Sequence, residues 1–151
     1  MKFLLTKELG RLAKWLRILG FDARYESSGN KSVAMIEALK EERILLTRNL
    51  RFGTRHGGII IFVKHDGLQD QLRDVFSQID VKLEPDRLFS RCTVCNESLA
   101  AVAKERVRQS VPAYVFEAHE DFMRCCKCQR VYWKGTHWGN AEEVLKKLIK
   151  V

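Results

Sequence analysis

The chain has 151 residues, with 27 Lys/Arg against 19 Asp/Glu and a formal net charge of +8. That length supports one good hydrophobic core plus a small accessory lobe rather than two full domains. No apolar run approaches the roughly 18 residues a helix needs to cross a bilayer, so no membrane partner is expected. The charge is also uneven: residues 1–55 carry 12 Lys/Arg against 6 Asp/Glu, 56–88 carry 4 against 6, and 89–151 carry 11 against 7. Two basic ends around a mildly acidic middle favour a polyanionic partner, above all nucleic acid, over an evenly spread solubility coat. The competing account is an ordinary basic surface.

In chain order, residues 2–6 (Lys-Phe-Leu-Leu-Thr) form a short apolar run expected to be a buried strand. Leu9, Leu12, Ala13, Leu16 and Leu19 follow at helical spacing, and Gly20 ends that helix. Residues 21–25 are expected to form a second strand. After the turn Ser27-Ser28-Gly29-Asn30, the residues Val33, Ile36, Ala38 and Leu39 suggest a second helix. Residues 43–47 and 59–63 are continuous apolar runs, the pattern of strands covered on both faces. Asp66-Gly-Leu-Gln69 has the form of a helix start, with Asp66 as N-cap, and Leu68, Leu72, Val75 and Ile79 continue one face. Strands alternating with helices imply an α/β domain with a parallel sheet, expected over residues 1–84. A linker containing Pro85 leads to a cysteine-bearing lobe over about 89–136. A last helix is expected within 139–151, docking Val144, Leu145, Leu148 and Ile149 on the preceding lobes.

The cysteines are Cys92-Thr-Val-Cys95 and, about thirty residues on, Cys125-Cys126-Lys-Cys128. Two Cys-x-x-Cys knuckles at that separation are the spacing of a four-thiolate zinc ribbon, each knuckle placing two sulfurs on one tight turn. Cys92, Cys95, Cys125 and Cys128 are the expected Zn²⁺ ligands. Cys126 is the spare, since Cys126 and Cys128 leave only one residue between them. His119 and His137 are possible substitute ligands, and disulfides or inert thiols are the alternatives to metal. Five cysteines make an odd number for a secreted framework, and the opening Met1-Lys-Phe-Leu-Leu runs directly into Lys7 and Glu8 without the form of an export leader. A reducing, cytoplasmic setting is therefore expected. With four thiolates bound the metal has no open position for water, so its role is structural.

On the first helix Arg11, Lys14 and Arg17 are three apart and fall opposite the Leu9/Leu12/Leu16 face, forming one basic stripe. A solvated helix face explains such a stripe as well as phosphate contacts do. Arg48, Arg51 and Arg55 follow another predicted strand. In a parallel sheet Thr6, Asn49 and Asp66 all follow carboxyl ends of strands, where open α/β folds place their ligand sites. Arg11, Lys14, Arg17, Arg48 and Arg51 are the expected contacts to RNA phosphates. Tyr132 and Trp133, beside the second knuckle, offer a stacking platform for bases or a cover for the ribbon's small core.

Four segments in order carry a resemblance that covers nearly the whole chain. They are Leu9-Gly-Arg-Leu-Ala-Lys-Trp-Leu-Arg-Ile-Leu-Gly-Phe-Asp22, Arg43-Ile-Leu-Leu-Thr-Arg48, Arg91-Cys-Thr-Val-Cys-Asn96 and Val131-Tyr-Trp-Lys-Gly-Thr-His137. Together they resemble the Mut-seven C-terminal RNase domain family, a PIN-like nuclease fold joined to a zinc ribbon. The resemblance implies ribonuclease ancestry and, at the carboxyl edge, carboxylates that hold Mg²⁺ or Mn²⁺ to activate water. Here the chain departs from the family. Thr6 and Asn49 stand where acids are usual, and the start of the second helix offers Asn30 and Lys31. Asp22 and Asp66 remain as candidate catalytic carboxylates. The expected function is an RNA-binding PIN-like domain whose cleavage is lost. The alternatives are an active ribonuclease with a rearranged site of Asp22, Glu26 and Asp66, and a scaffold meeting an acidic protein partner.

Overall fold

Strands β1 (Lys2–Leu5), β2 (Asp22–Tyr25), β3 (Ile44–Thr47) and β4 (Ile60–Phe62) lie in one parallel sheet in the order β2-β1-β3-β4. The computed structural model describes residues 1–52 and 60–149, without the side chains of 136, 137 and 149. Arg55, Ile59 and the side chain of His137 therefore lie outside the described residues. Period-two alternation divides the apolar runs between two faces. Phe3, Leu5, Leu46, Ile61 and Val63 point into the larger core, under α1 (Gly10–Ile18), α3 (Leu68–Phe76) and α5 (Thr136–Ile149). Leu4, Leu45 and Ile60 point the other way, against α2 (Lys31–Lys40). Each fully buried leucine contributes roughly 1.5–3 kcal/mol, which is why such short strands hold.

Two helices differ from the sequence expectation. In α2 the buried positions are Ala34 and Ala38, while Val33, Ile36 and Leu39 are about half exposed. Small side chains let this helix approach the sheet closely, so its larger residues turn outward. Gly67, not Asp66, is the N-cap of α3, without a side-chain cap bond. Gln71 reaches back instead, donating to the His65 carbonyl at 3.0 Å.

The expected linker packs on the first core: Val81 and Leu83 lean against it and Leu88 is buried in it. Gly20, at φ 88°, is required there, because a Cβ at that position would stand 2.4 Å from the Arg87 carbonyl oxygen. Phe89 stacks on Trp138 at 4.8 Å, and Ala141 and Leu145 of α5 join the same core. The C-terminal helix thus docks on the parallel-sheet domain. Between these segments lies an antiparallel sheet of β5 (Leu99–Val102), β6 (Phe122–Cys125) and β7 (Val131–Trp133) in the order β5-β6-β7. Its own core is small: Val107, Val111, Val115 of α4 (Ala113–Ala118) and Phe122.

Candidate functional site

The two knuckles close in the same way. Asn96 donates its backbone N–H to the Cys92 carbonyl and Gln129 donates to the Cys125 carbonyl, both at 2.9 Å. Asn96 and Gln129 both adopt positive φ, 66° and 63°, which reverses the chain after each pair of sulfurs. The Sγ atoms of Cys92, Cys95, Cys125 and Cys128 consequently lie within 4.8 Å of one another, and among the described residues no other group of His, Cys, Asp or Glu converges in this way. Four sulfurs each ~2.3 Å from a tetrahedral Zn²⁺ stand about 3.8 Å apart. The Cys92–Cys128 separation is 3.7 Å, so the set fits such an ion. Cys126, the expected spare, is exposed and lies outside the converging group. Tyr132 is a structural partner of the centre: its hydroxyl lies 3.1 Å from Cys92 Sγ and accepts the Thr93 N–H at 3.2 Å. Burial works to raise the Cys92 thiol, but the Tyr132 hydroxyl and the Cys95 and Val94 N–H groups bring it down to about 6, favouring a thiolate. Trp133 packs in the lobe's own core.

The first knuckle docks on β2, the edge strand of the parallel sheet. Arg17 belongs to this contact and not to the expected surface stripe: it is only 4% exposed. Its Nε donates to the Ala23 carbonyl at 2.8 Å, and Nη1 donates to the Thr93 and Val94 carbonyls at 2.9 and 3.0 Å. Helix α1 runs back from the carboxyl edge, so Arg17 lies two turns from Arg11 and meets the knuckle at the opposite end. Asn96 completes the contact. Its Oδ1 accepts the Ala23 N–H at 2.9 Å and its Nδ2 donates to Asp22 Oδ1 at 2.8 Å. Side chains thereby satisfy a strand edge that would otherwise expose unpaired backbone.

Asp22 sits on this amino edge, in register with Lys2, and pairs with Arg43 at 2.7 Å. Thr6, just past the end of β1, is four residues beyond Lys2, roughly 13 Å away at ~3.3 Å per residue. The structure therefore places Asp22 at the opposite edge from Asp66, and the two do not share an ion. Burial works to raise the Asp22 carboxyl, but hydrogen bonds from Arg43 and Asn96 and the charges of Arg43 and Arg91 hold it below its ordinary value. A carboxyl whose folded value lies below its unfolded one stabilises the fold at neutral pH and loses that contribution as pH falls through the folded value. Asp22→Asn is expected to cost about 1.5–3 kcal/mol at pH 7 and to lose part of the acid sensitivity below pH ~4, read by urea unfolding across pH. Equal stability at pH 7 would show that Asp22 carries no structural weight.

Among the described residues, the carboxyl edge carries the hydroxyls of Thr6 and Thr47, the amide of Asn49, and the charged groups of Glu8, Arg48, Arg51 and Asp66. Thr6 and Thr47, 6% and 0% exposed, stand side by side after β1 and in β3, with their hydroxyls 3.2 Å apart. Thr6 Oγ1 donates to Glu8 Oε1 at 2.6 Å, and the Arg48 N–H reaches the same oxygen at 3.3 Å. Burial opposes ionisation of Glu8, yet these bonds and the Arg48 charge keep its carboxyl below the ordinary range. Asn49 donates its N–H to Thr47 Oγ1 at 3.0 Å and accepts from the Arg51 N–H at 3.0 Å, capping the short turn 50–52. Asn30 likewise serves as the N-cap of α2. Asp66, largely exposed, is ion-paired with the Arg48 guanidinium. Glu26 is 2% exposed and spent on its own turn, accepting from the Ser28 hydroxyl and from the Gly29 N–H at 3.0 Å. Arg11, Lys14 and Arg51 are exposed. Glu8 was not singled out in the sequence; its one signal was an acid two residues beyond the missing one.

The chain is thus a parallel α/β domain carrying a four-thiol lobe. The family model described as the Mut7-C RNAse domain matches residues 1–145 of the 151, and the chain belongs to that family. No curated protein and no solved structure matches the chain significantly.

Proposed function

We propose that the chain is an RNA-binding PIN-like module of ribonuclease lineage, in which the ribbon holds one structural Zn²⁺ and metal-dependent cleavage is lost. The observation that carries this reading is the polarity of the carboxyl edge. An ionised carboxylate only accepts, so the Thr6 hydroxyl donates outward to Glu8 at 2.6 Å, its other acceptors within reach, the Thr47 hydroxyl at 3.2 Å and the Leu46 carbonyl at 3.4 Å, being more distant. A site for Mg²⁺ or Mn²⁺ needs the reverse, several oxygen lone pairs and ionised carboxylates aimed at one point. Asp66 is ion-paired with Arg48 and Glu26 is spent on its own turn. Zn²⁺ rather than a hard cation suits four thiolates, which belong in a reducing compartment such as the cytoplasm.

RNA contact falls to Arg11 and Lys14 on α1 and to Arg48 and Arg51 at the edge, all reading phosphates rather than bases. Arg11→Glu with Lys14→Glu is expected to weaken binding to all RNA sequences alike and to lower the salt slope by about one for each phosphate no longer neutralised. Unchanged affinity in a filter-binding titration would reduce this face to a solvated surface. A second reading, a protein-interaction module, is favoured by the exposed Val33, Ile36 and Leu39 on α2. Polar replacement of these three would then abolish partner binding while leaving RNA binding intact.

A further inference from the structure

We propose that the Thr6 hydroxyl, backed by Thr47, and the Arg48 N–H form a seat for one phosphate oxygen of RNA, and that Glu8 is the chain's own occupant of that seat. The inference rests on the RNA-binding reading and names the atoms that reading would use. Three groups are lined up in sequence. The Asn49 N–H donates to Thr47 Oγ1 at 3.0 Å, the Thr47 hydroxyl lies 3.2 Å from Thr6 Oγ1, and the Thr6 hydroxyl donates to Glu8 Oε1 at 2.6 Å. Both threonines are buried, and the remaining acceptor within reach of the Thr6 hydroxyl is the Leu46 carbonyl at 3.4 Å. The Arg48 N–H adds a second donor to the same oxygen, from the end of a neighbouring strand.

What these donors recognise is an oxyanion, and carboxylate and phosphate oxygens are alike in accepting charge-assisted hydrogen bonds. Glu8 itself is exposed, and the Arg48 guanidinium is turned to Asp66 rather than to Glu8. The hydrogen bonds from other residues that hold the carboxylate are those of the seat, with the Arg48 charge acting only at a distance, and side-chain rotation frees it with no change to the buried threonines. While it remains, its charge opposes an incoming phosphate. Glu8 thus sets the affinity of this edge for RNA.

The test compares the unaltered chain with Glu8→Ala, Glu8→Gln and the double variant Glu8→Ala/Thr6→Val. Each is titrated at low salt with a labelled oligouridylate and, separately, with inorganic phosphate. Glu8→Ala is expected to bind both roughly 10-fold tighter, since a like charge beside the phosphate has been removed. Adding Thr6→Val should abolish that gain. Glu8→Gln keeps the shape and removes the charge, so a smaller gain is expected, and it carries the test should Glu8→Ala fail to fold. If the unaltered chain binds RNA with a steep salt dependence but neither Glu8 variant binds more tightly, the seat is overturned and the RNA reading stands. If phosphate binding tightens but no form binds RNA, the seat stands and the RNA reading falls. Loss of a Mn²⁺-dependent reaction on replacing Glu8 would make the carboxylate a metal ligand and overturn the proposal.

Discussion

Cys128→Ser is expected to release the bound metal and unfold the C-terminal lobe, whereas Cys126→Ser should do neither. The lobe's own core consists of Val107, Val111, Val115 and Phe122, with a few partly buried neighbours. A core of that size does not offset the chain entropy of some forty residues, and the proposed Zn²⁺ is expected to make up the difference. Structural zinc sites supply apparent binding free energies of ~10–16 kcal/mol, far more than such a core. Metal analysis should return about one zinc per chain for the unaltered protein and Cys126→Ser, and little for Cys128→Ser. Limited proteolysis should cut the Cys128→Ser lobe while sparing the parallel-sheet domain. Equal metal loss in both variants would mean that Cys126 is a ligand.

Arg17→Met should have the second-largest effect, because one guanidinium serves three carbonyls from two parts of the chain. A hydrogen bond from a charged donor is worth ~1.5–3 kcal/mol, and three that share one guanidinium do not add in full, so about 3–5 kcal/mol is expected. Lysine reaches one or two of these oxygens and lacks the planar fork, so Arg17→Lys should fall between the two. The knuckle bearing Cys92 and Cys95 would lose its anchor on β2, and zinc should leave faster to a chelator. Urea unfolding and chelator-release kinetics measure the two effects. Wild-type values for both would show that the lobe docks without Arg17.

These effects trace to what could and could not be seen in the residue order. The strands were legible because 43–47 and 59–63 are continuous apolar runs, a pattern that local chemistry imposes. The four converging cysteines were legible because a knuckle needs two intervening residues. Arg17 was not. Spacing placed it on the face opposite Leu12 and Leu16, but nothing local says that a knuckle seventy-six residues on will cover that end of the helix. The position of Asp22 was hidden for the same reason. Its motif places it after a glycine and an aromatic residue, and only the register of β2 against β1 shows which edge it occupies. Asp66 looked like a cap because its spacing to Gln69 fits one; an ion pair with Arg48, from a different loop, took it instead. The second helix misled through its large residues, when the packing was set by Ala34 and Ala38. Local propensity was readable, and long-range partners were not.

The most direct test of the central claim is to incubate the purified, zinc-loaded chain with labelled single-stranded RNA, with Mn²⁺ and separately with a chelator that spares the thiolate site. Complex formation and product are followed on the same samples across a salt series. The account predicts a complex that weakens steeply with salt, is indifferent to Mn²⁺, and yields no product beyond the protein-free control. Chelator-sensitive cleavage by the unaltered chain, lost in Asp66→Asn or Glu8→Gln, would contradict it and make the carboxyl edge a working metal site.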